Sequence, residues 1–235
     1  MHMTYTLHQI GTVHSPFKEK FGIPRQAGLI QGCEGFIELQ SPWNRQEALQ
    51  GLEGFSHLWI VFIFHQSIKP IEKWRPTVRP PRLGSKRQGV FATRSPYRPN
   101  PIGMSVVEYL GWEKRSGQLC LKISGLDLLD QTPVVDIKPY LPYADNLPNA
   151  TGGFAHQAPE PVAMTVHFSE VAQQQLFQAE DKYPQLATLI QSTLTHNPRP
   201  AYFGNIEQRS HFGMSLYEFH VQWKIVDNEI TVLSL

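Results

Sequence analysis

Between Gly89 and Ser105 the chain reads Gly-Val-Phe-Ala-Thr-Arg-Ser-Pro-Tyr-Arg-Pro-Asn-Pro-Ile-Gly-Met-Ser, with prolines at 96, 99 and 101. Each proline fixes its own φ and keeps the residue before it out of the helical region, so residues 95–101 read as a stiff, extended loop. Short apolar runs flank the loop, Val90 to Ala92 before it and Met104 onward after it, and both are expected to be strands. Arg94 and Arg98 bracket the stiff part and carry planar donor forks suited to a carboxylate or a phosphate. A small anionic group is the first ligand this segment suggests. A proline-rich crossover bearing solvated arginines accounts for it equally well.

The formal charge of the 235 residues is +1, which hides an uneven distribution. Lys69, Lys73, Arg75, Arg79, Arg82, Lys86, Arg87, Arg94 and Arg98 fall within thirty residues beside one acid, Glu72, whereas the remainder holds twelve basic and nineteen acidic residues. Such a local field can track a polyanion, and Trp74 and Tyr97 within the same stretch offer faces for unstacked bases. A solvated basic loop is the plainer reading of the same charges. No run of about 18 apolar residues and no basic-then-apolar leader is visible, so a soluble, cytoplasmic protein without a membrane span is expected. The two cysteines, Cys33 and Cys120, lack paired spacing and are assigned no role.

Taken in order, residues 5–13 read as a strand and 17–26 as a loop that delivers Arg25 and Gln26. A short strand is expected over 36–39, and a helix opened by Pro42 and closed by Gly51. The apolar run 58–64 reads as a strand buried on both faces, with His57 and His65 eight apart and so on one side of it. No third ligand stands at metal spacing, and no metal is expected. Leu119, Leu121 and Ile123 alternate with Cys120, Lys122 and Ser124 as a half-buried strand. Beyond it, Asp127, Asp130 and Asp136 lie among apolar residues and suggest the acidic rim of a pocket, with Asp136 the one expected to be buried; Asx-type turns are the structural alternative. Residues 145–161 have the composition of a linker, which divides the chain into segments 1–146 and 160–235. The second segment reads as two helices, one capped by Ser169 and one begun by Pro184, then a hairpin running from Tyr217 through a turn at Asp227-Asn228.

Familiar phosphate-loop, dinucleotide, serine-elbow and zinc signatures are absent from the sequence. Yet Ile10-Gly-x-Val-x-Ser-Pro-Phe17, Pro24-Arg-Gln26, Phe55-Ser-His-Leu-Trp59, His65-Gln66, Gly89-Val-Phe-Ala-Thr-Arg-Ser95, Arg98-Pro-Asn-Pro-Ile-Gly103 and Asp136-Ile-Lys-Pro-Tyr140 occur in that order. This set resembles the TsaA/YaeB (TrmO-like) family of tRNA methyltransferases over about residues 5–146. Pro198-Arg-Pro-Ala-Tyr202 resembles the C-terminal part of the bacterial branch. Gln131 stands where that family leads one to expect a glycine.

The resemblance implies a mainly β protein: a β-barrel N-terminal domain (1–146) with few helices, followed by a small α+β C-terminal domain (160–235). It implies S-adenosylmethionine as cofactor and methylation of N6 of threonylcarbamoyladenosine next to the anticodon of threonine tRNA, by a homodimer. Carried onto matching positions, the cofactor site comprises Pro24, Arg25, Gln26, His65, Gln66, Arg94, Met104, Leu126, Asp127, Leu128 and Leu129. Arg94 would face a carboxylate, Asp127 an amine or a ribose hydroxyl, and backbone groups near Leu126 and Leu128 the adenine edge. The tRNA anticodon arm would meet Arg75, Arg79, Arg82, Lys86, Arg87, Arg98, Arg199 and Tyr202. Asp127, Asp136 and His65 are candidate bases, and none is singled out. A non-catalytic RNA-binding module and a metal-dependent hydrolase using the three aspartates are the competing expectations.

Overall fold

A computed structural model describes residues 4–161, 164–196, 210–226 and 229–235. Six strands carry the first part: β1 (Gly11–His14), β2 (Glu34–Leu39), β3 (His57–Ile63), then, after a two-stranded ribbon of β4 (Thr77–Val78) and β5 (Gln88–Gly89), β6 (Ile102–Arg115), β7 (Gln118–Ser124) and β8 (Pro133–Pro139). Their hydrogen-bonded order is β1-β2-β7-β6-β3-β8, every pair antiparallel, and β8 returns to β1 through Gly11 opposite Val134, so the sheet closes on itself as a barrel. The period of two decides which residues fill it. Leu58, Ile60 and Phe62 point inward from β3 to meet Val107 and Tyr109 of β6 and Leu121 and Ile123 of β7.

Outward-facing Trp59, Val61 and Ile63 are only partly buried, so β3 is not covered on both faces as its apolar run suggests. Between β6 and β7, Ser116 and Gly117 both have positive φ, the two-residue turn whose twist matches the strands it joins. A bulge at Tyr109/Trp112, where Gly111 has φ +103°, bends β6 enough to serve two neighbours.

After the short helix α1 (Pro142–Asp145) and residues 146–161, which form only one 3-10 turn, the chain makes β9 (Thr165–Phe168), α2 (Glu170–Ala179), α3 (Leu186–Thr195), β10 (His211–Leu216), β11 (Phe219–Val226) and β12 (Glu229–Ser234). The sheet order is β10-β11-β12-β9, with β9 parallel to β12. Ser169 caps α2 by accepting the Ala172 amide at 3.1 Å, as its residue type predicts. Leu189, Ile190 and Leu194 of α3 and Val221, Trp223 and Val232 of the sheet form the C-terminal core, which is continuous with the barrel's through Phe17, Met214 and Leu216. The expectation of a mainly β chain with few helices and an α+β end is met. Among the described residues, no helix is long and apolar enough to cross a membrane.

Several local expectations fail for identifiable reasons. Val90–Ala92 is a 3-10 turn, because Val90 bonds back to Pro76 O and Thr93 to Val90 O instead of joining a sheet. The helix expected from Pro42 shrinks to a 3-10 turn at Gln46–Leu49, and only Gly51 behaves as foreseen, with φ +82°. Of residues 5–13, only the last three are strand. Tyr217 sits at φ +53° in the β10–β11 turn, so the hairpin begins at Phe219, and β9 and β10 were not foreseen. The turn at Asp227-Asn228 lies outside the described residues.

Gln131 has φ +64°, a conformation that costs a side-chain-bearing residue more than glycine. Gln131→Gly is therefore expected to raise stability by about 0.5–1 kcal/mol. Urea denaturation checks this, and a loss of stability would show that the side chain's weak 3.4 Å bond to Asp130 matters more than the backbone.

Candidate active site

One end of the barrel, where the 15–30 loop, the excursion from 64 to 101 and the β7–β8 connection meet, encloses a cavity of about 500 Å³. That volume suits a cofactor-sized molecule. Its inner wall is β6, where alternation aims Gly103 and Ser105 inward. Gly103 is required there: a Cβ would overlap the Phe62 ring and stand 2.9 Å from Phe64. These two rings meet edge to face at 5.0 Å and form the apolar floor.

Asp127 enters from the β7–β8 connection and accepts the Ser105 hydroxyl proton at 2.6 Å. Burial pushes its carboxyl above the ordinary range, while the Ser105 hydroxyl, backbone amides and the Arg94 charge oppose the shift. Arg94 stands across the mouth and donates to the side-chain oxygen of Gln26. The cavity thus presents an exposed guanidinium and a partly buried carboxylate to the same space, the pair a molecule bearing both carboxylate and ammonium would need. His65 lines it too; burial and the nearby Lys20 charge hold its imidazole below its usual pKa, so the ring is neutral near pH 7.

The chain matches two family models, the tRNA-methyltransferase O N-terminal domain over residues 12–146 and the TrmO C-terminal domain over 161–235. The chain belongs to the TrmO family. It is 47% identical over 233 residues, 99% of its own length and 98% of the other's, to the tRNA (adenine(37)-N6)-methyltransferase of Escherichia coli K12. It is 46% identical over 94% of its length and 93% of the other's to a putative S-adenosylmethionine-dependent methyltransferase, RcsF, of Pseudomonas aeruginosa. A crystal structure of TrmO from Pseudomonas aeruginosa superposes with TM-score 0.80 at 38% identity, covering 99% of this chain and 98% of that one.

Of the positions expected to form a cofactor site, Pro24, Arg25, Gln26, His65, Gln66, Arg94, Met104, Asp127, Leu128 and Leu129 of this TrmO-family chain all line the cavity. Leu126 does not: its side chain is fully buried in the core, and its carbonyl accepts the Cys33 thiol at 3.2 Å. The Leu128 carbonyl is likewise engaged, by the Ser15 hydroxyl at 2.7 Å. Unforeseen members include Lys20, Phe62, Phe64, Ser67, Ser105 and Thr132. Alternation along β6 carried the signal for Ser105, whereas nothing local marked Phe62, Lys20 or Thr132.

The acidic rim does not assemble. Asp130 is held by Lys18 at 2.7 Å and by the Ser15 amide, and Asp136 is half-exposed beside Lys138 at 2.7 Å, outside the cavity, so neither it nor its charge is buried there. Among the described residues, no group of three His, Cys, Asp or Glu side chains is placed to hold a metal. His57 and His65 also part company, since β3 ends at Ile63 and His57 bonds Ser56 at the far end.

On the excursion, Arg75, Arg79 and Lys86 are exposed, as are Arg82 and Arg87, which each give one donor to Gln157 O and Thr77 Oγ1. Exposed Phe91 and Trp74 share this surface, and Lys69 lies 4.4 Å above the Tyr97 ring. Arg98 is different from the other cations: it lines the cavity, and its Nη1 donates to Thr93 O at 2.7 Å and Val90 O at 3.3 Å, bracing the turn that carries Arg94. Arg199 and Tyr202 lie outside the described residues.

Proposed function

We propose that the chain is an S-adenosylmethionine-dependent methyltransferase acting on N6 of adenosine 37 of tRNA. The observation that carries this reading is the convergence of Arg94 and Asp127 on one cavity at the root of the basic excursion, in a chain similar over its whole length to a tRNA (adenine(37)-N6)-methyltransferase. When bound, the cofactor supplies a methyl group on a sulfonium, which passes by in-line displacement to a nitrogen that loses a proton. Such a displacement is accelerated chiefly by positioning.

Arg94 binds the carboxylate of the methionine moiety and Asp127 its ammonium, while the proline-stiffened loop keeps Arg94 in place. His65, neutral and at the cavity wall, takes the proton. Arg75, Arg79, Arg82, Lys86 and Arg87 hold the backbone of the anticodon arm, with Trp74 and Phe91 available to unstacked bases. The finer reading is that the accepting adenosine carries threonylcarbamoyl and that the enzyme works in the cytoplasm as a homodimer. The partly exposed apolar residues Trp59, Val61 and Ile63 on the outer face of β3 support the dimer. The chain divides functionally at 146–160, the second part assisting tRNA contact.

Isothermal titration with S-adenosylmethionine tests the cofactor assignment: micromolar binding is expected, and an inert titration at millimolar cofactor would favour a non-catalytic RNA binder. The raised Asp127 pKa gives a pH dependence. The folded chain holds this proton more tightly than the unfolded one, so the stability it contributes is present at low pH and lost as pH rises through the folded value. An ammonium partner favours the ionised form, so cofactor affinity is expected to fall as pH drops through Asp127's raised range. Asp127→Asn should flatten that profile, and an unaltered profile would place the ammonium elsewhere. Neutralising Arg79 and Lys86 together is expected to lessen the salt dependence of tRNA binding by roughly one unit of slope per lost phosphate contact. Filter binding at several salt concentrations checks this, and a drop in cofactor affinity instead would refute the division of labour.

A further inference from the structure

Residues 15–26 form a strap that has the cofactor cavity on one side and the C-terminal sheet on the other. On the cavity side, Ile23, Pro24, Arg25 and Gln26 are wall residues, and Lys20 donates to Gln66 O at 3.1 Å. On the other side lies β10, the edge strand of the C-terminal sheet. An edge strand exposes unpaired backbone groups that must be covered. The strap covers them: Phe17 bridges Leu216, the Tyr217 amide donates to Pro16 O at 2.7 Å, and the Ser215 amide donates to Glu19 Oε1 at 2.7 Å. Phe21 stacks parallel to Trp223 at 6.2 Å, and Gly22 is buried against Met214, whose sulfur would stand 3.3 Å from a Cβ there.

The strap's own backbone cannot account for its shape. Between 18 and 26 it belongs to no helix or strand, and Gly22 has φ +91°. Its conformation is set by what lies on either side. Residues that reach the cavity therefore depend on residues that face away from it, and the latter rest on a sheet more than 190 positions later in the chain.

We infer that the C-terminal sheet is a working part of the cofactor site, and that Glu19 and Phe21 are positioning residues that act through Ile23 to Gln26 without touching the ligand. Gln26 receives the Arg94 guanidinium, so loosening the strap also releases Arg94. The ligand part of this inference rests on the proposed function; the mechanical part does not.

The test uses the full chain carrying Glu19→Ala with Phe21→Ala. If the strap is then in its binding shape only about a tenth of the time, cofactor affinity falls about tenfold. The apparent KM for cofactor rises while kcat at saturation is kept. The Tyr217 amide, which donates to Pro16 O of the strap, exchanges hydrogen faster, a readout that needs no ligand. Glu19→Gln, whose amide oxygen can still accept the Ser215 amide, restores most of the affinity. Val232→Ala, in the same sheet but away from the strap, lowers melting temperature without changing cofactor affinity measured well below the transition.

Unchanged exchange of the Tyr217 amide in the double variant would overturn the inference. Faster exchange with unchanged cofactor affinity would overturn the coupling to the site, and equal weakening by Val232→Ala would reduce it to general destabilisation. If the unaltered protein binds no S-adenosylmethionine, the proposed function fails, and the exchange result still decides the mechanical claim.

Discussion

Gly103→Ala is expected to destabilise the protein by about 1–3 kcal/mol, the range for forcing extra volume into a packed interior. The Cβ would occupy space filled by the Phe62 ring, which lies directly across the β3–β6 pairing and is braced by Phe64. Neither ring can swing outward without opening the barrel end or intruding on the cavity. The same substitution should therefore weaken cofactor binding in the fraction that remains folded. Combining it with Phe62→Leu is expected to recover part of the stability, because the two side chains compete for one volume and their effects cannot add. Urea denaturation of the single and double variants measures this. An unchanged transition for Gly103→Ala would mean that the floor of the site yields more easily than its packing indicates.

Arg94→Ala is expected to weaken S-adenosylmethionine binding by about 1.5–3 kcal/mol, the usual cost of losing a hydrogen bond to a charged group, or roughly ten- to a hundredfold. Arg94→Lys should recover only part of this, since an ammonium cannot reproduce the planar fork. Stability should barely change in either variant, because Arg94 is exposed and its bond to Gln26 is made at the surface. Arg98→Ala should behave in the opposite order. Its donors hold the carbonyls of Val90 and Thr93, so its loss disorders the turn first and reduces cofactor affinity as a consequence.

The difference between these arginines shows what sequence can and cannot disclose. Both stand beside prolines and both looked suited to an anion; only the folded turn assigns one to backbone carbonyls. The three aspartates make the same point. Spacing grouped Asp127, Asp130 and Asp136, but Asp127 turns inward to Ser105 while the other two find lysines outside the cavity. Period-two alternation made β7 readable, because one buried face imposes it, whereas the uniformly apolar run of β3 gave no sign of which face is inward. It is silent on which strand pairs with which, so neither the order β1-β2-β7-β6-β3-β8 nor the return of β8 to β1 follows from it. Ten of the eleven expected cofactor positions line the cavity because whole motifs were carried over together. Leu126 is the exception, because its side chain is taken into the core. The roles of Glu19 and Phe21 were invisible, since their partners lie in a distant sheet.

Methyl transfer to tRNA at the base beside the anticodon, in the cavity shared by Arg94 and Asp127, is open to mass spectrometry of nucleosides from tRNA incubated with the protein and methyl-labelled S-adenosylmethionine. One labelled methyl is expected on the modified adenosine of position 37, strongly reduced with Arg94→Ala and Asp127→Asn. Full labelling by both variants, or a label confined to other nucleosides, would contradict it.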